Sequence, residues 1–189
     1  LFRLILELHH QGEANMFKKI LVAIDDFAEN RLVFEEALAL AQKLEASLML
    51  LHVLAPEERN PALSTALIPY YYPVVNEEAM RQYQAEWREA EDRGLQALKV
   101  LTDEAMMAGI STEFTQHIGD ASRIICTLAK DWNADLIFVG RRGYSGLSEW
   151  LLGSVSNYVL HHAPCSVLVV QASTNPNSES ANTEQTAMV

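Results

Sequence analysis

The chain has 189 residues, 49% hydrophobic and 21% charged, which suits one globular domain with a substantial core. Its formal net charge of −11 argues against a nucleic-acid binder, because neutralising a phosphate backbone needs a basic face. No apolar run approaches the roughly 20 residues that span a bilayer, so no membrane partner is expected.

Two cysteines, Cys126 and Cys165, form neither a disulfide framework nor a metal spacing. Both have apolar neighbours and read as buried thiols in a reducing cytoplasm.

In chain order, residues 1–15 precede Met16-Phe17-Lys18-Lys19, which has the look of a natural start, and are expected to be a dispensable extension. Leu1, Leu4, Ile5 and Leu8 fall at helical spacing, so a short docking helix is the alternative. Ile20 to Ile24 is a continuous apolar run, the pattern of a strand covered on both faces. Asp26 and Glu29 have capping-box spacing and open a helix reaching about Glu45, with Val33, Ala37, Leu40, Ala41 and Leu44 on its buried stripe. Ser47 to Leu54 is a second apolar strand, and His52 on it reads as a core histidine with a satisfied ring.

The next stretch, 56–76, carries Pro56, Pro61, Pro69, Pro73 and the run Tyr70-Tyr71-Tyr72, which rule out regular helix and suggest a surface excursion. A long helix is predicted from Glu77 to Met107, with Trp87, Leu95, Leu98 and Leu101 on its inner side and Gly109 just past its end. Ser111 to His117 suits an edge strand, and the following helix carries Ile124, Ile125, Leu128 and Ala129. A short apolar strand ends in Val139, a glycine-rich loop follows, a helix opens at Ser154, and Pro164 to Val170 is a last strand. The domain is thus expected over 16–171, with 172–189 as a disordered tail.

Strands and helices alternate throughout, which implies a parallel sheet with helices on both faces. Ligands of such sheets bind beyond the carboxyl ends of the strands, the rim where Asp25 and Gly140 both fall. The loop Val139-Gly140-Arg141-Arg142-Gly143, followed by Gly153-Ser154-Val155, suits phosphate. Glycines admit close backbone approach, and a helix start offers N–H donors. It lacks the Gly-x4-Gly-Lys-[Ser/Thr] pattern of a P-loop. A serine at a helix start usually caps it; after three spaced glycines, Ser154 is read instead as a phosphate-facing donor.

The strand Ile20 to Asp25, Leu51-His52-Val53, Gly140-x2-Gly143-x9-Gly153-Ser154 and the terminal His162-Ala163-Pro164-Cys165-Ser166-Val167-Leu168-Val169-Val170 together resemble the universal stress protein family, in its ATP-binding branch. The resemblance covers Phe17 to Val170. It implies a Rossmann-like five-stranded parallel sheet of order 3-2-1-4-5, with helices on both faces, and a homodimer paired through the last strand, Ser166–Val170. It also implies roles at the rim. Ala23 and Ile24 flank an adenine, Val53 presents backbone to the base, and Asp25 lies near ribose or a phosphate-bound Mg²⁺. Val139, Gly140, Arg141 and Gly143 line the ribose and phosphates, and Gly153, Ser154 and Val155 donate from the helix start. The expected ligand is ATP or another adenine nucleotide, ADP or AMP. One departure stands out: after the strand-end Asp the family usually has one residue and then Ser, whereas this chain reads Asp25-Asp26-Phe27-Ala28.

The residues admit three functions. A nucleotide-binding stress or signalling protein, whose occupancy alters dimer or partner contacts, fits best. A slow ATPase or phosphotransferase would use the same site, yet the loop has no Lys, and no positioned general base stands beside it apart from Asp25. A pure dimeric scaffold would have no use for glycines spaced along the rim.

Overall fold

The two unbroken apolar runs become the central strands of a five-stranded sheet. A computed structural model describes residues 16–25, 31–55, 77–141 and 152–171. Their elements run β1 (Lys19–Ile24), α1 (Arg31–Leu44), β2 (Ser47–Leu54), α2 (Glu77–Met107), β3 (Thr112–Ile118), α3 (Ala121–Trp132), β4 (Leu136–Gly140), α4 (Ser154–His162) and β5 (Ser166–Val170). All four strand pairings are parallel, in the order β3-β2-β1-β4-β5. The predicted capping box at Asp26 and Glu29, the proline-rich stretch with its three tyrosines, and both termini lie outside the described residues.

Because side chains alternate along a strand, each central strand feeds two cores. Ile20, Val22, Ile24, Leu48, Leu50 and Phe138 pack with α1 and α2 on one face. Leu21, Met49, Leu51, Ile137 and Val139 pack with α3 and α4 on the other. Phe34 joins Val33, Ala37 and Ala41 as the buried stripe of α1, while Leu40 and Leu44 pack at its margin. Cys126 and Cys165 are half-buried in the α3/α4 layer, and burial pushes both thiols up. Asp135 and Cys126 add to the rise at Cys165.

The inner side of α2 differs from its prediction. Ala90, Gly94, Leu98, Leu101, Thr102 and Ala105 face inward, whereas Leu95 is 38% exposed and Trp87 only half-buried. The buried positions recur every three to four residues, a stripe from which Leu95 is rotated by one helical step. Ala90 to Ala105 spans about 23 Å of helix, matching the length of seven strand residues. The earlier turns of α2, with Trp87, therefore outrun the sheet. At the other end Gly109 (φ +85°) closes a Schellman motif: Gly109 N–H donates to Met106 O at 3.0 Å and Ile110 N–H to Ala105 O at 3.0 Å.

Among the described residues, Thr102 Oγ1 is a buried side-chain polar atom with no hydrogen-bond partner. Thr102→Val keeps the shape and removes that atom, so it is expected to raise stability by about 1 kcal/mol in urea unfolding. Asp120 caps α3, accepting from Ser122 N at 2.9 Å and Arg123 N at 3.3 Å. The Ser122 hydroxyl also donates to it, and this bond above all holds its carboxyl below the usual carboxylate range. A depressed carboxyl stabilises above its unfolded value near pH 4 and loses that contribution as pH falls through the lower folded value. Asp120→Ala is expected to cost about 1 kcal/mol at pH 7 and clearly less at pH 3, measured by urea unfolding at both.

Candidate functional site

At the β1–β4 boundary the order of succession reverses: β1, β2 and β3 follow one another toward one edge of the parallel sheet, and β4 and β5 toward the other. The ladder there covers three pairs, from Ile20↔Leu136 to Val22↔Phe138. On the outer sides pairing continues further, to Ile24↔His52 with β2 and to Gly140↔Val170 with β5. Ala23 and Ile24 therefore lie beyond the last rung shared with β4, and Val139 and Gly140 beyond the last rung shared with β1. The two strands part at their carboxyl ends, which opens the crevice expected at a switch point.

The predicted residues that the structure describes, all but Gly143, have definite places in the fold. Ala23, Val53 and Val155 are half-buried on the α3/α4 face, where Val139 is fully buried. Val53 stands one position past the last β1–β2 pair. The Ile24 side chain is 3% exposed in the α1 core, so what it offers the rim is backbone. Asp25 follows it and is exposed. Arg141 directly follows Gly140 and is half-buried. Gly143 and Arg142 lie outside the described residues.

Gly153, not Ser154, holds the N-cap position of α4, with φ −59° and ψ 153°. It has no side chain to cap the helix, so the first-turn N–H groups of Ser154, Val155 and Ser156 receive no partner from the cap residue. Ser154 is the first helical residue and is exposed. The glycines with positive φ among the described residues are Gly109 and Gly119. Gly140 in its strand and Gly153 at its cap need no left-handed backbone.

The neck of the loop is tied by backbone. Arg141 N–H donates to Val170 O at 2.8 Å, and Gly153 N–H donates to Arg141 O at 2.9 Å. One further residue closes it. The Ser156 hydroxyl donates to Gly140 O at 2.6 Å and lies 3.4 Å from Arg141 O. The sequence reading missed Ser156. A signal existed: it shares the inward stripe of α4 with Val159, and a polar residue on such a stripe calls for a buried partner.

The family model described as the universal stress protein family matches residues 16–171. The chain belongs to the universal stress protein family. A universal stress protein of Synechocystis sp. is 34% identical over 162 residues, covering 82% of this chain and 98% of that relative. Among solved structures, a universal stress protein in complex with cAMP superposes with a TM-score of 0.54 at 23% identity, covering 83% of this chain and 98% of that one. A family member from Arabidopsis thaliana with AMP bound gives a TM-score of 0.56 at 20% identity, covering 86% and 97%. At these identities the two structures establish the fold shared by universal stress proteins. The observed strand order and parallel sheet of this universal stress protein agree with it.

Among the described residues of this universal stress protein, no three His, Cys, Asp or Glu side chains gather as a metal-binding group. None of its described helices is long and apolar enough to cross a membrane.

Proposed function

We propose that this universal stress protein binds an adenine nucleotide at the β1/β4 rim and acts as a cytoplasmic stress-response module whose occupancy alters its dimer or partner contacts. The observation that carries the reading is the pair Gly140 and Gly153, two glycines whose backbones do not need glycine, flanking an uncapped helix start beside parted strands. N–H donors there favour anionic oxygen, and the missing Cβ atoms leave room for it. The AMP and cAMP held by two structural neighbours support an adenine ligand. Of the full constellation, Ala23, Ile24 and Val53 would meet the base, Asp25 the ribose, and Val139, Gly140, Arg141, Gly143, Gly153, Ser154 and Val155 the ribose and phosphates. Mg²⁺ fits only as an ion carried by phosphate oxygens, with Asp25 as its single protein carboxylate, since no acidic cluster stands among the described residues.

A homodimer through β5 belongs to the same reading. β5 is an edge strand, Leu168 on it is 38% exposed, and a cavity of about 330 Å³ opens between it and Leu32, Glu36 and Leu40 of α1. An edge with unpaired backbone groups is suited to pairing with a second copy.

The test is mass spectrometry of any small molecule released on denaturation, followed by calorimetry with ATP, ADP, AMP and cAMP. Sedimentation with and without the tightest ligand then reads the dimer. Binding of none of the four nucleotides would overturn the reading. Phosphate release from excess ATP with Mg²⁺ at more than about 1 s⁻¹ would replace it with an enzymatic one.

A further inference from the structure

We infer that Ser156 is a positioning residue for the proposed phosphate site, holding the end of β4 against the start of α4 so that donors rather than acceptors face the ligand. The inference rests on the nucleotide reading above. Ser156 is 3% exposed, and its hydroxyl is the side-chain group that joins α4 to the end of β4.

The chemistry runs through two successive carbonyls. Gly140 O and Arg141 O are the negative ends of peptide dipoles at the mouth of the crevice, and left free they would repel an anion placed there. Both are engaged by α4: Gly140 O accepts from the Ser156 hydroxyl at 2.6 Å, and Arg141 O accepts from Gly153 N–H at 2.9 Å. The Arg141 N–H is committed to Val170 O at 2.8 Å. With these carbonyls occupied, the groups among the described residues at this neck that suit an anion are the first-turn N–H donors of α4. A serine side chain also has a single proton, so the 2.6 Å bond to Gly140 O outweighs the 3.4 Å approach to Arg141 O. Ser156 thus fixes Gly140 in particular.

The deciding comparison is Ser156→Thr against Ser156→Val, which share a shape and differ in the hydroxyl, with Ser156→Ala as the smaller variant. Calorimetry would use ATP and adenosine as probes of the same site with and without phosphates. The expected result is a loss of about tenfold or more in ATP affinity for Val and Ala, as for one lost buried hydrogen bond, with Thr close to the parent. Adenosine affinity is expected to stay within about twofold throughout, since adenosine carries none of the phosphates that would meet the α4 donors. A merely structural role would weaken ATP and adenosine alike; that outcome, or equal ATP affinity for Thr and Val, would overturn the inference. Amide exchange at Gly153 in the ligand-free protein reads the neck independently of any ligand. Faster exchange in Val than in Thr supports the clamp, and equal exchange overturns it. Parent protein that binds neither probe would refute the nucleotide reading instead, and the exchange comparison would still judge Ser156.

Discussion

Gly153→Val is expected to abolish nucleotide binding while leaving the fold intact. At φ −59° and ψ 153° the backbone of residue 153 lies where any L-residue sits comfortably, and no side-chain cap is lost. Exchanging Gly for Val at an N-cap therefore costs no more than about 1 kcal/mol of stability. The added isopropyl group stands over the first turn of α4, where the anion would meet N–H donors. Charge-assisted bonds of that kind contribute about 1.5–3 kcal/mol each, so obstructing two of them removes affinity by a hundredfold or more, to roughly beyond calorimetric detection. Gly140→Ala is expected to act in the same direction from the opposite side of the neck. Calorimetry with ATP, alongside urea unfolding to show a stability loss of no more than about 1 kcal/mol, checks both variants. Parent-like affinity in the two would sink the site assignment.

Gly94→Ala is expected to be the costliest single-methyl change in the described part of the chain. Glycine in the middle of a helix as long as α2 is unfavourable by about 1 kcal/mol relative to alanine, so a plain surface position would gain from the exchange. Here a Cβ would fall 2.2 Å from Gln116 Oε1 and 2.6 Å from His52 Nδ1. Those two atoms are themselves hydrogen-bonded at 2.9 Å, and Gln116 Nε2 donates to Glu91 O at 3.1 Å. Because the amide oxygen only accepts, Nδ1 of His52 carries the proton in this pair. The added methyl must push apart a buried imidazole and the amide that ties α2 to β2 and β3. Overpacking of about 1–3 kcal/mol and the disturbed buried bond outweigh the propensity gain, for a net loss of about 2–3 kcal/mol. Gly109→Ala is the contrasting case. At φ +85° it meets nothing within 4 Å, so left-handed strain alone sets a cost of about 1 kcal/mol. Urea unfolding of both variants distinguishes clash from strain, and a neutral Gly94→Ala would show that His52 and Gln116 move aside freely.

Much of this architecture was open to reading in the residues. Ile20 to Ile24 and Ser47 to Leu54 could only be strands covered on both faces, because neither alternates polar with apolar. The helix over Glu77–Met107 and its glycine stop were equally plain. The inner face of α2 was legible only in part: Leu98 and Leu101 pack inward as expected, but Leu95 does not, and the small residues Ala90, Gly94 and Ala105 share the stripe against the sheet. Close helix–sheet packing selects for small size, which hydrophobic content does not register.

The same division holds at the rim. By itself the sequence determined the alternation of strand and helix, hence a parallel sheet, and the two glycines that bracket a loop at its carboxyl edge. Periodicity and turn chemistry are local, so a single stretch of chain can carry them. Only the tertiary structure decided that β1 and β4 part after Val22 and Phe138, that Gly153 rather than Ser154 takes the cap, and that Ser156 reaches back sixteen residues to Gly140. Those facts depend on which backbone groups meet once crossovers have laid distant segments side by side, and no local pattern encodes that meeting.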